Sequence, residues 1–282
     1  LTYVVEKTPL GTAGGVKNVA SHLDDDTFLV FNGDVFTSID LTAMIASHRQ
    51  RGAAASIALT SVPDPTRYGV VETDRQQQVL RFTEKPAKDQ VKSNLINAGI
   101  YVLEPDCLDL IPKDSHYMFE RGLFPQLLEK GHKVCGYASS GYWIDIGTAE
   151  HYLKLHHDLL SGRAGLSPAA VSTGRAQDCH IHPTARISGP VLMGEGCSIG
   201  AHARLVGPVA MGPGCTIGSD AVIEGAVLWR GVTLGDGVSL KNCILASNCQ
   251  VDDGGCVVDG CVLGDNAFVG EGNRLGNGTR LG

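Results

Sequence analysis

Large apolar side chains recur every six residues through the last hundred positions, whereas the chain up to Leu160 alternates short apolar runs with helical stripes. The recurring positions are Ile181, Ile187, Met193, Ile199, Leu205, Met211, Ile217 and Ile223, then, one residue early, Leu228, Leu234 and Leu240. After a second one-residue deletion they resume at Leu245, Val251, Val257, Leu263, Val269, Leu275 and Leu281. Four positions after most of these comes a small or β-branched residue, among them Val191, Cys197, Ala203, Val209, Cys215, Ala221, Val227, Val232, Val238, Ile244, Cys249 and Cys261. A six-residue unit with one large and one small inward position describes a short strand plus a turn, and three units close a triangular coil. The eighteen units predict about six coils, stacked at ~4.8 Å into a prism ~29 Å long. The same small slot accounts for Cys197, Cys215, Cys249 and Cys261 by packing rather than by metal or redox chemistry.

The part of the chain before the repeats reads as α/β. The run TFLVF at 27–31 predicts a strand buried on both faces, and residues 1–5 read as a strand leading into a glycine-rich turn and a helix over 16–23. Asp40 caps a helix that places Leu41, Met44, Ile45 and His48 on one stripe and ends at Gly52. Strands are predicted at 54–62, at 69–73 paired with 79–84, at 95–103 and at 134–137. Helices are predicted at 118–130, interrupted at Pro125, and at 148–160. This alternation predicts a mostly parallel sheet with helices on both faces, and in such sheets chemistry is sought just beyond the strand ends.

Glycine content changes the picture along the chain. There are 15 glycines up to Gln177 and 21 from Asp178 onward, which sets the expected organisation: a first domain over 1–162, a linker over 163–177, and the repeat domain over 178–282. The 23 basic and 30 acidic residues give a net charge of −7. Without a broad basic cluster, a dedicated nucleic-acid or anionic-membrane surface is excluded. Apolar runs fall far short of the ~20 residues needed to cross a bilayer, and no leader-like segment opens the chain, so a cytoplasmic location is expected.

Four strand-end segments carry candidate chemistry. Gly11 and Thr12 sit in PLGTAGG, a turn that brings backbone N–H groups close to a ligand. Asp34 follows Gly33 at the end of TFLVF, and Asp145 lies in GYWIDIGT before a helix. Each acid has a plain reading as a cap, but two carboxylates at strand ends suit Mg²⁺ shared with phosphate oxygens. Lys85, in Glu84-Lys85-Pro86, is either solvated or a partner for a second phosphate. Asn97-Ala98-Gly99 interrupts an apolar strand, which suits close approach by a hydroxylated ligand.

In order along 1–162, PLGTAG, NGD, YGVVE, EKP, NAGIYVL and GYWIDIGT resemble the nucleoside-diphosphate-sugar pyrophosphorylases, and PLGTAG is similar to the mannose-1-phosphate guanylyltransferase branch. The hexapeptide pattern resembles the left-handed parallel β-helix appended in several branches of that family. The resemblance implies nucleotidyl transfer from a nucleoside triphosphate, GTP by this branch, to a sugar 1-phosphate such as mannose 1-phosphate, with thymidylyl transfer as the alternative. It assigns Asp34 and Asp145 to Mg²⁺ and Lys85 to the sugar phosphate. Gly69, Glu84, Asn97 and Gly99 would line the sugar, and Gly11, Thr12 and Gly33 the nucleotide.

The family opens with a glycine-rich loop carrying an arginine, and nothing before Leu1 supplies it. Residues 276–281 (GNGTRL) have similar letters but lie in phase with the hexapeptides. The sequence therefore reads as N-terminally incomplete, and this chain by itself is expected to make no measurable nucleotide sugar. Two readings of other classes stand beside it: a hexapeptide-repeat acyltransferase using His180, His182 or His202 as base, and a β-helix that serves only assembly. Its open last coil and flat faces predict a homo-oligomer.

Overall fold

A computed structural model describes residues 1–165, 174–258, 260–276 and 278–282. The predicted linker lies partly outside the described residues, at 166–173. The chain forms two compact units, Leu1–Trp143 and Ile144–Gly282.

The first unit is built on a six-stranded sheet. Its strands are β1 (Phe28–Phe31), β3 (Ala55–Ser61), β4 (Gly69–Thr73), β5 (Val79–Glu84), β6 (Leu95–Leu103) and β7 (Val134–Ala138); the short β2 (Val35–Thr37) stands outside it. The expected mostly parallel sheet is corrected here. The long β6 runs against both β1 and β3, β4 and β5 form an antiparallel hairpin, and of the described ladders in this sheet only β3–β7 is parallel. Alternating apolar runs fix the strands but not their directions, which depend on how the connections cross.

Strand β1 also departs from the expectation of two buried faces. Phe28 and Val30 pack into the core, but Leu29 and Phe31 are 38% and 40% exposed. Residues 1–5 form no strand, and Leu1, Tyr3 and Val5 are exposed. An extended segment becomes a strand only when another backbone completes its ladder.

Helix α1 (Gly11–Asn18) begins in the PLGTAG turn itself rather than after it. The Tyr117 carbonyl accepts from the Ala13 and Gly14 N–H groups at 3.0 and 2.9 Å, satisfying donors that a first helical turn leaves open. Helix α2 (Leu41–Arg51) follows the prediction: the Asp40 carboxylate accepts from Ala43 N–H, Met44 and His48 are buried, and Gly52 closes the helix. The segment expected as one helix over 118–130 divides. Phe119–Leu123 is a π-helical turn, and α3 (Phe124–Glu129) holds Pro125 in its first turn, where no N–H is needed.

The second unit is a three-sided parallel β-solenoid whose faces carry six, six and seven strands. The predicted rungs from Met193 to Val269 are buried, and Cys197, Cys215, Cys249 and Cys261 occupy the interior at 0% exposure. The inward small position is corrected at the two deletions. There Ala226 and Cys243 point in, while Val227 and Ile244 belong to a separate cluster on the outer surface. The inward partner always stands two residues before its rung, because side chains alternate across a strand. Counting four residues forward from the previous rung therefore slips by one wherever a residue is deleted.

That outer cluster explains where the chain divides. In-register partners Leu192, Ala210, Val227, Ile244 and Val262 make an apolar stripe along one face. Helix α4 (Ala149–Leu160), capped by the Thr148 side chain, covers it with Tyr152, Leu153 and Leu160. The His157 Nε2–H donates to the Gly225 carbonyl at 2.9 Å. Buried Asp158 is paired with Lys154 and, at 2.9 Å, with Arg163. The helix expected to end the first domain thus packs as part of the solenoid unit. No helix among the described residues is long and apolar enough to cross a membrane.

Candidate active site

In the first unit, the PLGTAG turn, the middle of β6 and the π-helical turn are joined through Thr12 and Glu120. Its Oγ1 accepts from the Phe119 N–H at 2.9 Å and donates to Glu120 Oε2 at 3.1 Å. Glu120 Oε1 is 3.5 Å from the Tyr101 hydroxyl, which in turn accepts from Asn97 Nδ2 at 2.8 Å. The Asn97 Oδ1 accepts from the Gly99 N–H at 2.9 Å, so this asparagine orients both its own strand and Tyr101.

Two glycines make room at this end of the sheet. At Gly99, φ is +73° and a Cβ would lie 2.7 Å from Asn32 Nδ2; the Asn32 N–H donates to the Gly99 carbonyl at 2.9 Å, which ties the Asn32-Gly33-Asp34 turn to β6. At Gly69, a Cβ would lie 2.9 Å from Glu84 Oε2 and closer still to the Phe82 ring. By contrast, Gly33 has open space around it and no left-handed φ. The backbone there does not require glycine.

Burial pushes the Glu84 carboxyl above its usual range, and the Glu120 carboxylate adds to the shift; Lys85 and Arg121 oppose it. Burial and Glu120 likewise raise the Tyr101 phenol. Glu84 and Glu120 are thus close enough to couple electrostatically and form a wall of acceptor oxygens, which suits hydroxyl donors.

Lys85 is exposed and takes a left-handed φ of +45° directly before Pro86. The extended geometry expected before a proline gives way to a strained one, held by the Lys85 N–H donating to the Tyr68 carbonyl at 3.0 Å. The Tyr68 ring packs edge-on against Trp143 at 5.7 Å, and Trp143 Nε1–H donates to the Ala98 carbonyl at 2.8 Å. Strained non-glycine backbone of this kind concentrates at functional sites.

Asp34 lies exposed in its turn. Asp145 belongs to the second unit; its Oδ1 accepts from the Gly147 N–H at 2.7 Å, and its carbonyl accepts from His151 Nδ1 at 2.8 Å. Each carboxylate has an oxygen of the hard class that Mg²⁺ prefers. Among the described residues no group of three or more His, Cys, Asp or Glu is placed to hold a metal.

Glu120 is the residue that sequence reasoning missed, with Tyr101 beside it. The available signal was an acid set among Phe119, Leu123 and Phe124, all at most 1% exposed, in a segment whose helical pattern breaks at Pro125. Of the histidines weighed for acyl transfer, His180, His182 and His202 are exposed on the solenoid, and His182 Nδ1 is engaged with Thr184.

The nucleotidyl transferase family model matches residues 1–162, and the model of the EIF2B subunit epsilon LbH domain matches 173–275. Mannose-1-phosphate guanylyltransferase of Mycobacterium tuberculosis is 39% identical over 199 residues, 69% of this chain and 53% of its own length. UTP–glucose-1-phosphate uridylyltransferase of a Synechocystis species is 38% identical over 156 residues, 54% of this chain and 40% of its own. A putative mannose-1-phosphate guanyltransferase of Sulfolobus acidocaldarius is 33% identical over 195 residues, 68% of this chain and 52% of its own. The chain spans about half the length of the curated relatives it matches. With a match covering more than half of its residues and a left-handed β-helix appended, the chain belongs to the nucleotidyl transferase family.

Proposed function

We propose that the chain carries the sugar-phosphate half of a site that transfers a nucleotidyl group from GTP to mannose 1-phosphate, releasing pyrophosphate. The observation that carries this reading is the acceptor wall of Glu84 and Glu120 beside exposed Lys85. Carboxylates accept from sugar hydroxyls, while an ammonium answers the phosphate of the same ligand. In this reading Gly69 lets the Glu84 carboxylate lie close against β4, and Asn97 and Tyr101 hold Glu120 in place. Thr12, fixed between Phe119 and Glu120, sets the turn that faces the base.

The reaction is an in-line attack of the sugar-phosphate oxygen on the α-phosphorus. It needs positioning and cations rather than an acid–base pair. Asp34 and Asp145 are the carboxylates assigned to Mg²⁺, which when bound neutralises phosphate charge. Guanine rather than thymine rests on the PLGTAG turn and on the named relatives. Self-association is part of the proposal, and light scattering at micromolar concentration checks it.

Ligand-observed NMR of the chain with mannose 1-phosphate tests the sugar half directly. Binding is expected, weakened about ten-fold or more by Lys85→Ala and by Glu84→Ala, since each removes a charge-assisted hydrogen bond. Failure of the wild-type chain to bind any sugar 1-phosphate would sink the assignment. Displacement by thymidine but not guanosine nucleotides would reassign the base.

A further inference from the structure

The first two coils of the solenoid hold a charged cluster that nucleotidyl transfer does not use. Arg186 and Arg204 are in-register partners on neighbouring parallel strands, so their side chains leave the same face one rung apart, ~4.8 Å along the solenoid. Both are exposed, and neither guanidinium has an ion pair or hydrogen bond among the described residues. Like charges directly opposite on a sheet repel. Further along the same face the charged partners are complementary: Glu224 stands opposite Lys241, and the two pair at 3.1 Å. Arg204 meets only Val222 in the next coil. Among the described residues neither arginine is paired with a counter-charge.

The corner beside them is shaped. Pro183, Thr184, Ala185, Arg186, His202 and Arg204 line an open groove of about 480 Å³. The Thr184 Oγ1 accepts from the His202 N–H at 2.8 Å, and the Thr184 N–H donates to His182 Nδ1 at 3.2 Å. These bonds lock the two turns together and set His202 in a left-handed conformation, φ +59°. In the following coil the equivalent place is taken by Asp220, φ +57°. Its carboxylate repels an anion there, which confines the favourable field to the first two coils.

We propose that this corner binds the phosphate group of a small soluble ester. Two guanidiniums carried one rung apart offer forked donors that match phosphate oxygens, for which arginine is better suited than lysine. The His202 ring lies at the rim, and the groove has room for an organic group beyond the phosphate. The site is independent of the sugar-phosphate reading of the first unit.

Isothermal titration of the full chain with tripolyphosphate separates the two. One binding event is expected to survive Lys85→Gln and to weaken about ten-fold in Arg186→Gln or Arg204→Gln, the loss of one charge-assisted fork. An event unchanged in the double Arg186→Gln/Arg204→Gln variant, or abolished by Lys85→Gln, overturns the proposal. Arg204→Lys keeps the charge and loses the fork. Reduced affinity in that variant supports a specific site, whereas wild-type affinity means diffuse attraction only and overturns it. Co-sedimentation with phosphatidic-acid vesicles that depends on both arginines would assign the phosphate to a lipid surface and overturn the soluble ligand. Unchanged circular dichroism in the variants, all at exposed positions, shows that folding is not the cause.

Discussion

In the solenoid each coil touches only the coil before and the coil after it, so its contacts recur at a nearly constant interval, Ile199 beside Ile217 and Ile217 beside Leu234. Around Thr12 the contacts join positions 12, 97, 101, 119 and 120, with no repeating interval. The first arrangement is nearly one-dimensional, and one pattern written many times specifies it. The second depends on crossovers that bring distant segments to one edge of a sheet. Errors in a periodic pattern stay local, as the slip at Val227 and Ile244 did, whereas a missed contact at a crossover hides a residue such as Glu120, on which the proposed site depends.

The comparison breaks most visibly under core truncation. Phe124→Ala removes a ring packed against Phe82, Tyr101 and Phe119, with an expected cost of about 3–5 kcal/mol. It should lower the first transition in urea unfolding while leaving a solenoid transition in place. Concerted loss of both units would show that they are not energetically separate.

A smaller effect is expected at the α4 stripe. Val227→Asp puts a charge under the helix, at a cost of roughly 2–3 kcal/mol. Hydrogen exchange should show α4 amides losing protection while interior solenoid strands keep theirs. Equal loss in both would place Val227 in the interior after all.

Glu84 gives a prediction of sign. Its carboxyl is raised in the folded chain, so the folded state holds the proton more tightly than the unfolded chain does. Stability contributed by this group is present at low pH and declines as pH climbs from the ordinary carboxylate value through the raised one. Glu84→Gln should remove that decline, so the wild-type-minus-variant difference in stability falls through this pH window and levels off above it. A difference that grows in the opposite direction would mean that the carboxylate is stabilised, not desolvated. The smallest change is expected at Lys241→Ala, where the exposed pair with Glu224 contributes about 0–1 kcal/mol, read as a shift of a degree or two in Tm.

Much of the first unit was legible. The bounds of β4, β5 and β6 follow the alternation directly, and Asp40 and Gly52 mark α2 through capping chemistry that acts within a single helical turn. The start of α1 was not legible, because its open N–H groups are satisfied by Tyr117, more than a hundred positions away. Residues 1–5 have a strand's composition but no partner in the ladder. Of the candidate site, Glu84, Asn97, Gly99 and Thr12 were found as motif residues. Their connection through Tyr101 and Glu120 was not, since the local pattern of 118–124 sets an acid among apolar residues but does not say which distant segment it meets.

The sequence by itself determined the solenoid, its rungs and its stacked cysteines, because in-register stacking requires only that inward positions recur. It also determined which strand-end residues have polar chemistry. Tertiary structure alone decided that β6 runs antiparallel between its neighbours, that α4 packs on the solenoid through a stripe of outward residues, and that Glu120 shares a wall with Glu84. Each of those outcomes depends on which distant surfaces meet, and burial and charge are settled only when they do.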